Sequence, residues 1–600
     1  MRTRGQFDDP EAGSAFGPGS ATAPGAKARR ASSLALRLTR VAEQPQTLLL
    51  AGVLMAVGLS LWTTRGQTFF SDEWHRLTFY NSDSLETLLR GYNGYLVVGH
   101  VLLYKALFGL FGADSYLPFR IVEALLLATC GLLFYALARS RAGPWPCLLA
   151  TLPLLFLGSA YEVTATPYGT VVLLPVALGL AALVCLERFR GNGDPLACLL
   201  LLAAVASQSI GLAFVVGAAV VLAQQSGRGM LARSWVVLVP GLLYATWFTW
   251  YHLTASSANP EQVHLHNLGQ VPSTVVAVCA AGLSGLSGFF GSSGFGGGVP
   301  FNLDAGYLLL GLLVIGVIWR VRSGWKVGRE IWVPIALGLT FWALAGMVAS
   351  VARPPESSRY IYPSAVFLLL IGLELVRGLR LTSPVILVTA GAIAVSLIAN
   401  LVNLVNQGDQ IRDLAISERD ELGALELVRK EVPTASISDL VIHTGVLGLG
   451  GRGNRIPAAD YFAAVDRYGS PAASPEEIAA ADETQRQAAD RVLLRVGDLT
   501  LTALPAGHAS RARNCRPAFG PSVGFGRLFG VPASGLEIQP ERSRSDMTVV
   551  AHRFATGFQT LSVPPGSGPM VLRPGAGQEV RPWLVRISGA TVCALGPAPT

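Results

Sequence analysis

The pattern of apolar positions divides this chain into two parts. Long apolar runs follow one another between residues 45 and 404, whereas 405–600 alternates like an ordinary soluble protein. A hydrocarbon core about 30 Å thick needs about 20 apolar residues in one helix. The runs therefore predict a polytopic α-helical protein with about eleven spans, at 45–64, 117–138, 145–160, 169–187, 195–207, 210–224, 234–251, 305–321, 331–351, 360–377 and 383–404.

Two further apolar stretches are predicted not to cross the membrane. A span at 271–290 would place the basic segment Arg320–Arg329 outside, against the positive-inside rule, so we expect a re-entrant or surface helix on the outer side. Residues 95–112 are short and carry His100 and Lys105, which is typical of an amphipathic helix in the outer interface.

The distribution of charge predicts the orientation. Of the 46 Lys and Arg residues and 38 Asp and Glu residues, 20 of each lie in 405–600, so the whole surplus of +8 lies in 1–404. Arginines concentrate in every second loop, which marks those loops as cytoplasmic. Eleven spans then place the N-terminus inside and residues 405–600 outside. We expect 1–44 to be a disordered cytoplasmic tail, 45–404 the transmembrane domain with outer loop 65–116, and 405–600 an extracytoplasmic domain.

Composition narrows the class of protein further. Only 14% of residues are charged and the mean hydropathy is +0.46, which excludes a soluble enzyme of ordinary composition. A basic surplus confined to membrane loops reports orientation and contact with the lipid bilayer, and indicates no nucleic-acid partner. Abundant Ala, Gly, Arg and Pro with scarce Lys point to an actinobacterial source, and hence to a bacterial plasma membrane.

The C-terminal segment is predicted to be an α+β or β-rich domain. Ser474 and Glu477 form a capping-box signature for a helix to about residue 490. Strand-like segments follow at 492–504, 548–554 and 583–587. Cys515 and Cys593 are the two cysteines of this domain, and they form either one disulfide or two free thiols.

Candidate chemistry begins directly after the first span, at Ser71-Asp72-Glu73-Trp74-His75. A carboxylate held where water is scarce is suited to accept a proton, because burial raises its affinity for one. The alternative is a solvated acidic turn that marks the membrane interface.

An arginine stands at the start of the predicted span 360–377, in Arg359-Tyr360-Ile-Tyr-Pro363. The guanidinium group of Arg359 is a natural fork for phosphate oxygens, so this site is a candidate for a lipid-linked phosphate. The alternative is an arginine whose guanidinium group extends to the level of the lipid head groups.

Together these motifs resemble the GT-C superfamily of integral-membrane glycosyltransferases, and most closely the polyprenyl-phosphate-sugar-dependent protein mannosyltransferases and aminoarabinose transferases. The likeness covers roughly 45–404. It implies transfer of a sugar from a polyprenyl-phosphate donor to a protein, lipid or polysaccharide acceptor outside the membrane. Asp72 or Glu73 would be the base, with Asp72 favoured, and Arg359 would bind the donor phosphate. No cofactor is then required; a divalent cation is compatible but not indicated.

Further candidates follow from position near these motifs. Tyr360 and Arg120 are predicted to help bind the donor phosphate, although Arg120 can instead pair with Glu123, three residues on. The remaining predicted substrate-cleft residues are Trp74, His75, Glu162 and Glu356. No metal site is predicted.

Two other functions stay open at the level of sequence. One is a transporter or flippase of a lipid-linked saccharide, and the other is a non-catalytic envelope protein on the same scaffold. The segment Asn93-Gly94-Tyr95 stands where relatives are expected to carry a polar Asn-Glu-His-like stretch, which implies a different acceptor or a lost activity.

Overall fold

The structure is a computed structural model. It describes residues 44–69, 72–78, 84–92, 94–226, 230–254, 265–288, 303–324, 328–349, 354–379, 383–429, 458–505, 512–518, 526–541, 547–564, 566, 568–575 and 581–595. The predicted cytoplasmic tail, 1–44, lies outside this part of the chain apart from Gln44.

Helices dominate the first three quarters of the chain. In chain order they are α1 (Pro45–Thr63), α2 (Asp72–Thr78), α3 (Leu85–Leu89), α4 (Val98–Phe111), α5 (Leu117–Ala142), α6 (Pro144–Leu155), α7 (Tyr161–Thr164), α8 (Thr170–Phe189), α9 (Asp194–Ser207), α10 (Ile210–Ser226), α11 (Met230–Arg233), α12 (Trp235–Thr254), α13 (Val271–Ser287), α14 (Leu303–Arg322), α15 (Trp332–Met347), α16 (Ser358–Val376), α17 (Ser383–Leu427), α18 (Ala458–Tyr468), α19 (Pro475–Ala480) and α20 (Glu483–Val496).

Each predicted span coincides with a helix. Among the described residues, eight helical segments are long and apolar enough to cross a membrane, and they match eight of the predicted spans. The other three predicted spans form α9, α10 and α12. The prediction of a polytopic helical membrane protein is confirmed, whereas the count of eleven spans stays a prediction. Boundaries follow local chemistry: Pro45 begins α1, and Gly143, at φ 83°, separates α5 from α6.

The apolar stretch at 271–290 forms α13, which packs against α14, α15 and α16. Its first residue lies against Gly346 at the end of α15, and Gly285 lies against Ile361 in the first turn of α16, so both contacts are near the same side of the bundle. The assignment of this segment as a re-entrant or surface helix stays a prediction.

The last membrane helix continues into the C-terminal domain. Helix α17 has 45 residues, which corresponds to about 68 Å, more than twice the thickness of a hydrocarbon core. Beyond residue 404 it packs on α20, with Leu422 and Leu425 fully buried in the core of the C-terminal domain. Residues 405–427, which follow the last predicted span, are thus the end of one continuous helix.

Two antiparallel sheets complete the C-terminal domain, which confirms the predicted β-rich domain. The strands are β1 (Leu499–Ala503), β2 (Ala512–Pro517), β3 (Arg527–Gly530), β4 (Leu536–Pro540), β5 (Thr548–His552), β6 (Gln559–Thr560), β7 (Met570–Pro574), β8 (Leu584–Ser588) and β9 (Ala590–Leu595). Their orders are β1-β7-β4-β9-β2 and β3-β8-β5-β6. A disulfide joins Cys515 on β2 to Cys593 on β9.

The sequence pattern predicts the start of the first strand several residues too early. The segment 492–504 was predicted to be extended throughout, but 492–496 is the last turn of α20, and β1 begins at Leu499. The predicted helix from Ser474 is also divided: the capping box begins α19, and Asp482 caps α20 separately.

The outer loop and the C-terminal domain share one hydrophobic core. Phe69, Trp74 and Tyr104 from the outer loop belong to the same buried cluster as Tyr461 and Leu422. The ring centroids of Trp74 and Tyr461 are 5.6 Å apart. The amide of Ala113 donates a 2.7 Å hydrogen bond to the carbonyl of Tyr468. The two regions therefore lie on the same side of the membrane.

A buried acid in this domain makes stability depend on pH. Burial, followed by the negative charge of Glu418, raises the pKa of Glu421 to about 8. Because the folded pKa lies above the usual value, the stabilisation is complete at pH 4 and is lost as the pH rises through 8. Between pH 6 and 9 we expect the free energy of unfolding of the full chain in detergent to decrease by on the order of 3 kcal/mol. The thermal unfolding temperature should fall over the same range.

The variant Glu421→Gln tests this prediction. It keeps the shape of the side chain but cannot ionise, so its unfolding temperature should exceed that of the wild type at pH 9 and match it at pH 5. Glu476→Gln, at an exposed position of α19, is the control and should leave the pH profile unchanged. Parallel wild-type and Glu421→Gln profiles would contradict the prediction.

Candidate active site

The short helix α2 presents different side chains to its two sides. Asp72 and Arg76 are four residues apart, so they share one face of the helix, and both line a cavity. Glu73 lies about 100° around the helix from Asp72 and points away from that cavity. The adjacent carboxylates of the sequence motif are thereby separated.

The cavity lies where the outer loop meets the helix bundle. Polar residues from five segments line it. Its volume is about 1180 Å³, including the part that is open to solvent. The charged and phenolic residues on its wall are Asp72, Arg76, Tyr92, Tyr95, Glu162, Tyr168, Arg359 and Tyr360. Three predicted site residues, Asp72, Arg359 and Tyr360, are thus brought together with the predicted cleft residue Glu162.

Arg359 lies in the first turn of α16, with its side chain in the cavity. Its Nε donates a 2.8 Å hydrogen bond to Oε2 of Glu162. Ser358 fixes this helix end, because its hydroxyl donates to the carbonyl of Ser159 and accepts from the amide of Glu162. The positive end of a 19-residue helix therefore reinforces the guanidinium charge at the cavity wall.

Arg76 provides a second cation on the cavity wall. Its guanidinium carbon lies 4.1 Å from the centre of the Tyr92 ring, and Nη2 donates a 3.2 Å hydrogen bond to the hydroxyl of Tyr168. Burial, followed by the charge of Asp72, raises the pKa of Tyr92 well above its usual value. Tyr92 therefore stays a neutral phenol beside the Asp72 carboxylate.

A buried histidine supports this wall from behind. The Nε2 atom of His100 is 2.9 Å from the Thr170 hydroxyl, and its ring packs 4.5 Å from that of Tyr104. Burial, followed by the charge of Arg76, lowers the pKa of His100 well below its usual value. His100 is thus a neutral packing group near neutral pH and adds no charge to the cavity.

Glu73 and Trp74 lie outside the cavity. The hydroxyls of Tyr104 and Tyr116 each donate a 2.6 Å hydrogen bond to one carboxylate oxygen of Glu73, which is buried. Trp74 packs between the outer loop and the C-terminal domain. These contacts hold α2 in place, so the structure assigns both residues to the support of the site and not to its wall.

Substitution of Glu73 should therefore affect stability more than chemistry. Glu73→Ala leaves two buried hydroxyls without their acceptor, and we expect a loss of about 2–4 kcal/mol in unfolding free energy. Glu73→Gln keeps an acceptor and should retain activity within about tenfold, measured per folded molecule. A large loss of turnover in a fully stable Glu73→Gln protein would show that this carboxylate takes part in the reaction.

Arg120 is directed away from the cavity wall. Its Nε donates a 2.8 Å hydrogen bond to the hydroxyl of Thr64, and its Nη2 donates to the carbonyl of Leu61. Arg120 thus secures the end of α1, while Glu123 accepts a 2.6 Å hydrogen bond from Ser60. The predicted contribution of Arg120 to phosphate binding does not fit this position.

Of the two remaining predicted cleft residues, the structure describes the side chain of one. Glu356 lies half-buried in the turn before α16 and does not line the cavity. His75 belongs to α2, but its side chain lies outside the described part of the structure.

Sequence reasoning missed Arg76, Tyr92 and Tyr168. The spacing of Asp72 and Arg76 was an available signal, because residues four apart share a helix face. Tyr92 and Tyr168 reach the cavity from segments distant in sequence, and their position depends on the folded outer loop.

Comparison with known proteins gives structural neighbours of low identity. No protein-family model and no curated protein sequence matches the chain. The archaeal oligosaccharyltransferase AglB from Archaeoglobus fulgidus, solved with an inhibitory peptide and a dolichol-phosphate, is 11% identical, with a TM-score of 0.38 over 76% of this chain and 69% of that chain. The arabinosyltransferase EmbB from Mycobacterium smegmatis is 12% identical, with a TM-score of 0.34 over 90% of this chain and 64% of that chain.

Both neighbours belong to the GT-C superfamily that the sequence motifs resemble.

Proposed function

We propose that this protein is a membrane glycosyltransferase that moves a sugar from a polyprenyl-phosphate donor to a hydroxyl group of an extracytoplasmic acceptor. One observation supports the proposal above all others. Asp72 and Arg76 lie near the start of the membrane domain in sequence and Arg359 lies near its end, yet all three line the same cavity. A carboxylate and two guanidinium groups are the groups needed to activate a hydroxyl and to bind a phosphate.

The reaction is an inverting displacement. Asp72 accepts the proton of the acceptor hydroxyl, while the oxygen of that hydroxyl attacks the anomeric carbon of the sugar. The bond from that carbon to the phosphate oxygen breaks, and the electron pair leaves with polyprenyl phosphate. Arg359 and Arg76 stabilise the negative charge that develops on the phosphate. We propose that no cofactor is needed, because these cations supply the neutralisation.

Apolar residues of the cavity suit the lipid part of the donor. Val172, Phe341 and Leu344, from α8 and α15, lie on its wall. A polyprenyl chain can follow such a surface into the membrane while its phosphate remains at the polar end. Glu162 and Tyr360 adjoin the phosphate site, and Glu162 holds Arg359 until the donor binds.

We further propose that the cavity faces the outside of a bacterial plasma membrane, in an actinobacterium. The Cys515–Cys593 disulfide is typical of an oxidising compartment, and the outer loop and C-terminal domain lie on one side. The acceptor is a protein, lipid or polysaccharide of the envelope, and the domain at 405–600 lies where it can contact it.

Transfer of labelled sugar tests the proposal. Membranes containing the wild type or Asp72→Asn receive radiolabelled polyprenyl-phosphate sugars, and chromatography follows the label from the donor lipid into protein, polysaccharide and other lipids. We expect transfer with at least one donor in wild-type membranes, and none above background with Asp72→Asn. Label that stays on the donor lipid in both membranes, with every donor, would contradict the proposal.

A further inference from the structure

A second polar cavity lies at the opposite end of the helix bundle. Helix α16 carries Arg359 at the first cavity, and Arg377, which directly follows the helix 18 residues later, lies at the second. Helix α8 likewise carries Val172 at the first cavity and Glu187 at the second. These spacings correspond to about 27 and 23 Å along the helices, so the cavities face opposite sides of the membrane.

Charged side chains from several helix ends line this second cavity. Arg141 pairs with Glu187 and lies 3.6 Å from Glu374, and Arg377 lies 3.6 Å from Glu330. Charges at a membrane face cost free energy unless they are paired or bind a ligand. Eight of the nine residues that line the cavity are polar, which suits a small polar head group.

The cavity retains capacity for an anion. The side chain of Arg141 is 6% exposed, and its Nη1 forms the 3.6 Å ion pair with Glu374 but no hydrogen bond among the described residues. Arg329, at the exposed edge, has no ion-pair partner in the described part of the chain. Two arginine side chains on one cavity wall therefore have donors to offer, and the phosphodiester oxygens of a lipid are suitable acceptors.

The surrounding face is strongly basic. Among the described residues at this end of the bundle, arginines outnumber carboxylates by two to one: the arginines are Arg139, Arg141, Arg188, Arg233, Arg320, Arg322, Arg329 and Arg377, and the acids are Glu187, Asp194, Glu330 and Glu374. Anionic lipids concentrate at such a surface, and basic pockets between membrane helices bind their head groups.

We propose that this second cavity binds a phosphate group of an anionic phospholipid, through Arg141, Arg329 and Arg377. The site is separate from the glycosyltransfer cavity and does not depend on that activity. A lipid held there would link the ends of α5, α15 and α16, and would therefore stabilise the bundle.

Thermal unfolding of the full chain in mixed micelles tests the proposal. We expect phosphatidylglycerol to raise the unfolding temperature by about 3–5 °C over phosphatidylcholine, and Arg329→Ala/Arg377→Ala to remove most of that rise. Arg188→Ala/Arg322→Ala is the matched control, because it removes two exposed charges from the same face but none from the cavity. Arg329→Ala alone, which breaks no ion pair among the described residues, should reduce the rise without changing stability in phosphatidylcholine.

Inorganic phosphate distinguishes the sources of the anion. Weak anion sites are probed with phosphate at about 10 mM. If phosphatidylglycerol raises the unfolding temperature and inorganic phosphate does not, the result supports a lipid head group. An equal rise with inorganic phosphate alone would instead identify a site for free phosphate and overturn the lipid assignment. Equal unfolding temperatures in the two lipids, or equal losses in both double variants, would overturn the site itself.

Discussion

Replacement of Asp72 by asparagine should abolish sugar transfer while the protein still folds. The amide keeps the size of the side chain but cannot accept the proton of the acceptor hydroxyl. We expect kcat to fall by about 10²–10⁴-fold, the range for loss of a general base, with little change in donor KM. Steady-state transfer from a polyprenyl-phosphate sugar measures both constants.

Glu86→Gln is the matched control for this variant. It makes the same acid-to-amide change in the same outer loop, at an exposed position away from the cavity. Its kinetics should match those of the wild type. An Asp72→Asn protein with wild-type kcat would exclude Asp72 as the base, whatever happens at Glu73.

Replacement of Arg359 by alanine should have the second large effect. The phosphate would lose a bidentate donor, and we expect kcat/KM for the donor to fall by about 10²–10³-fold. Arg359→Lys should recover only part of this loss, because lysine keeps the charge but not the fork. Arg65→Ala, an exposed arginine at the end of α1, should leave the kinetics unchanged.

A double variant separates phosphate binding from simple loss of the ion pair. Arg359→Ala leaves the carboxylate of Glu162 without its 2.8 Å partner, and this alone can disturb the cavity. Arg359→Ala/Glu162→Gln removes that excess charge. We expect the double variant to remain as impaired as Arg359→Ala; recovery to wild-type kcat/KM would show that Arg359 acts only through Glu162.

Much of the membrane architecture could be predicted because span length is set by the bilayer. The polarity change near residue 405 predicts the membrane boundary, but a helix does not end where polarity changes. Helix α17 therefore continues to Leu427, and its outer part is stabilised by packing on α20. The short apolar run at Val492 and Leu493 is likewise compatible with a buried strand or a buried helix. Both residues are buried as the last turn of α20, so tertiary packing determines the element.

The candidate site was predictable in part. Asp72 and Arg359 were identifiable because charges next to membrane spans are costly and need a reason. The sequence could not separate the roles of Asp72 and Glu73, since neighbouring residues face different sides of a helix whose orientation depends on Tyr104 and Tyr116. The placement of Trp74 depended on the C-terminal domain, which lies almost 400 residues away in sequence.

The position of a bound donor tests the proposed mechanism most directly. A cryo-EM reconstruction of the full chain with a polyprenyl phosphate would locate the phosphate relative to the two cations. We predict phosphate density between Arg359 and Arg76, within hydrogen-bond reach of both guanidinium groups, with the lipid chain against Phe341 and Leu344. Phosphate density elsewhere, with this cavity empty at saturating lipid, would contradict the proposed site.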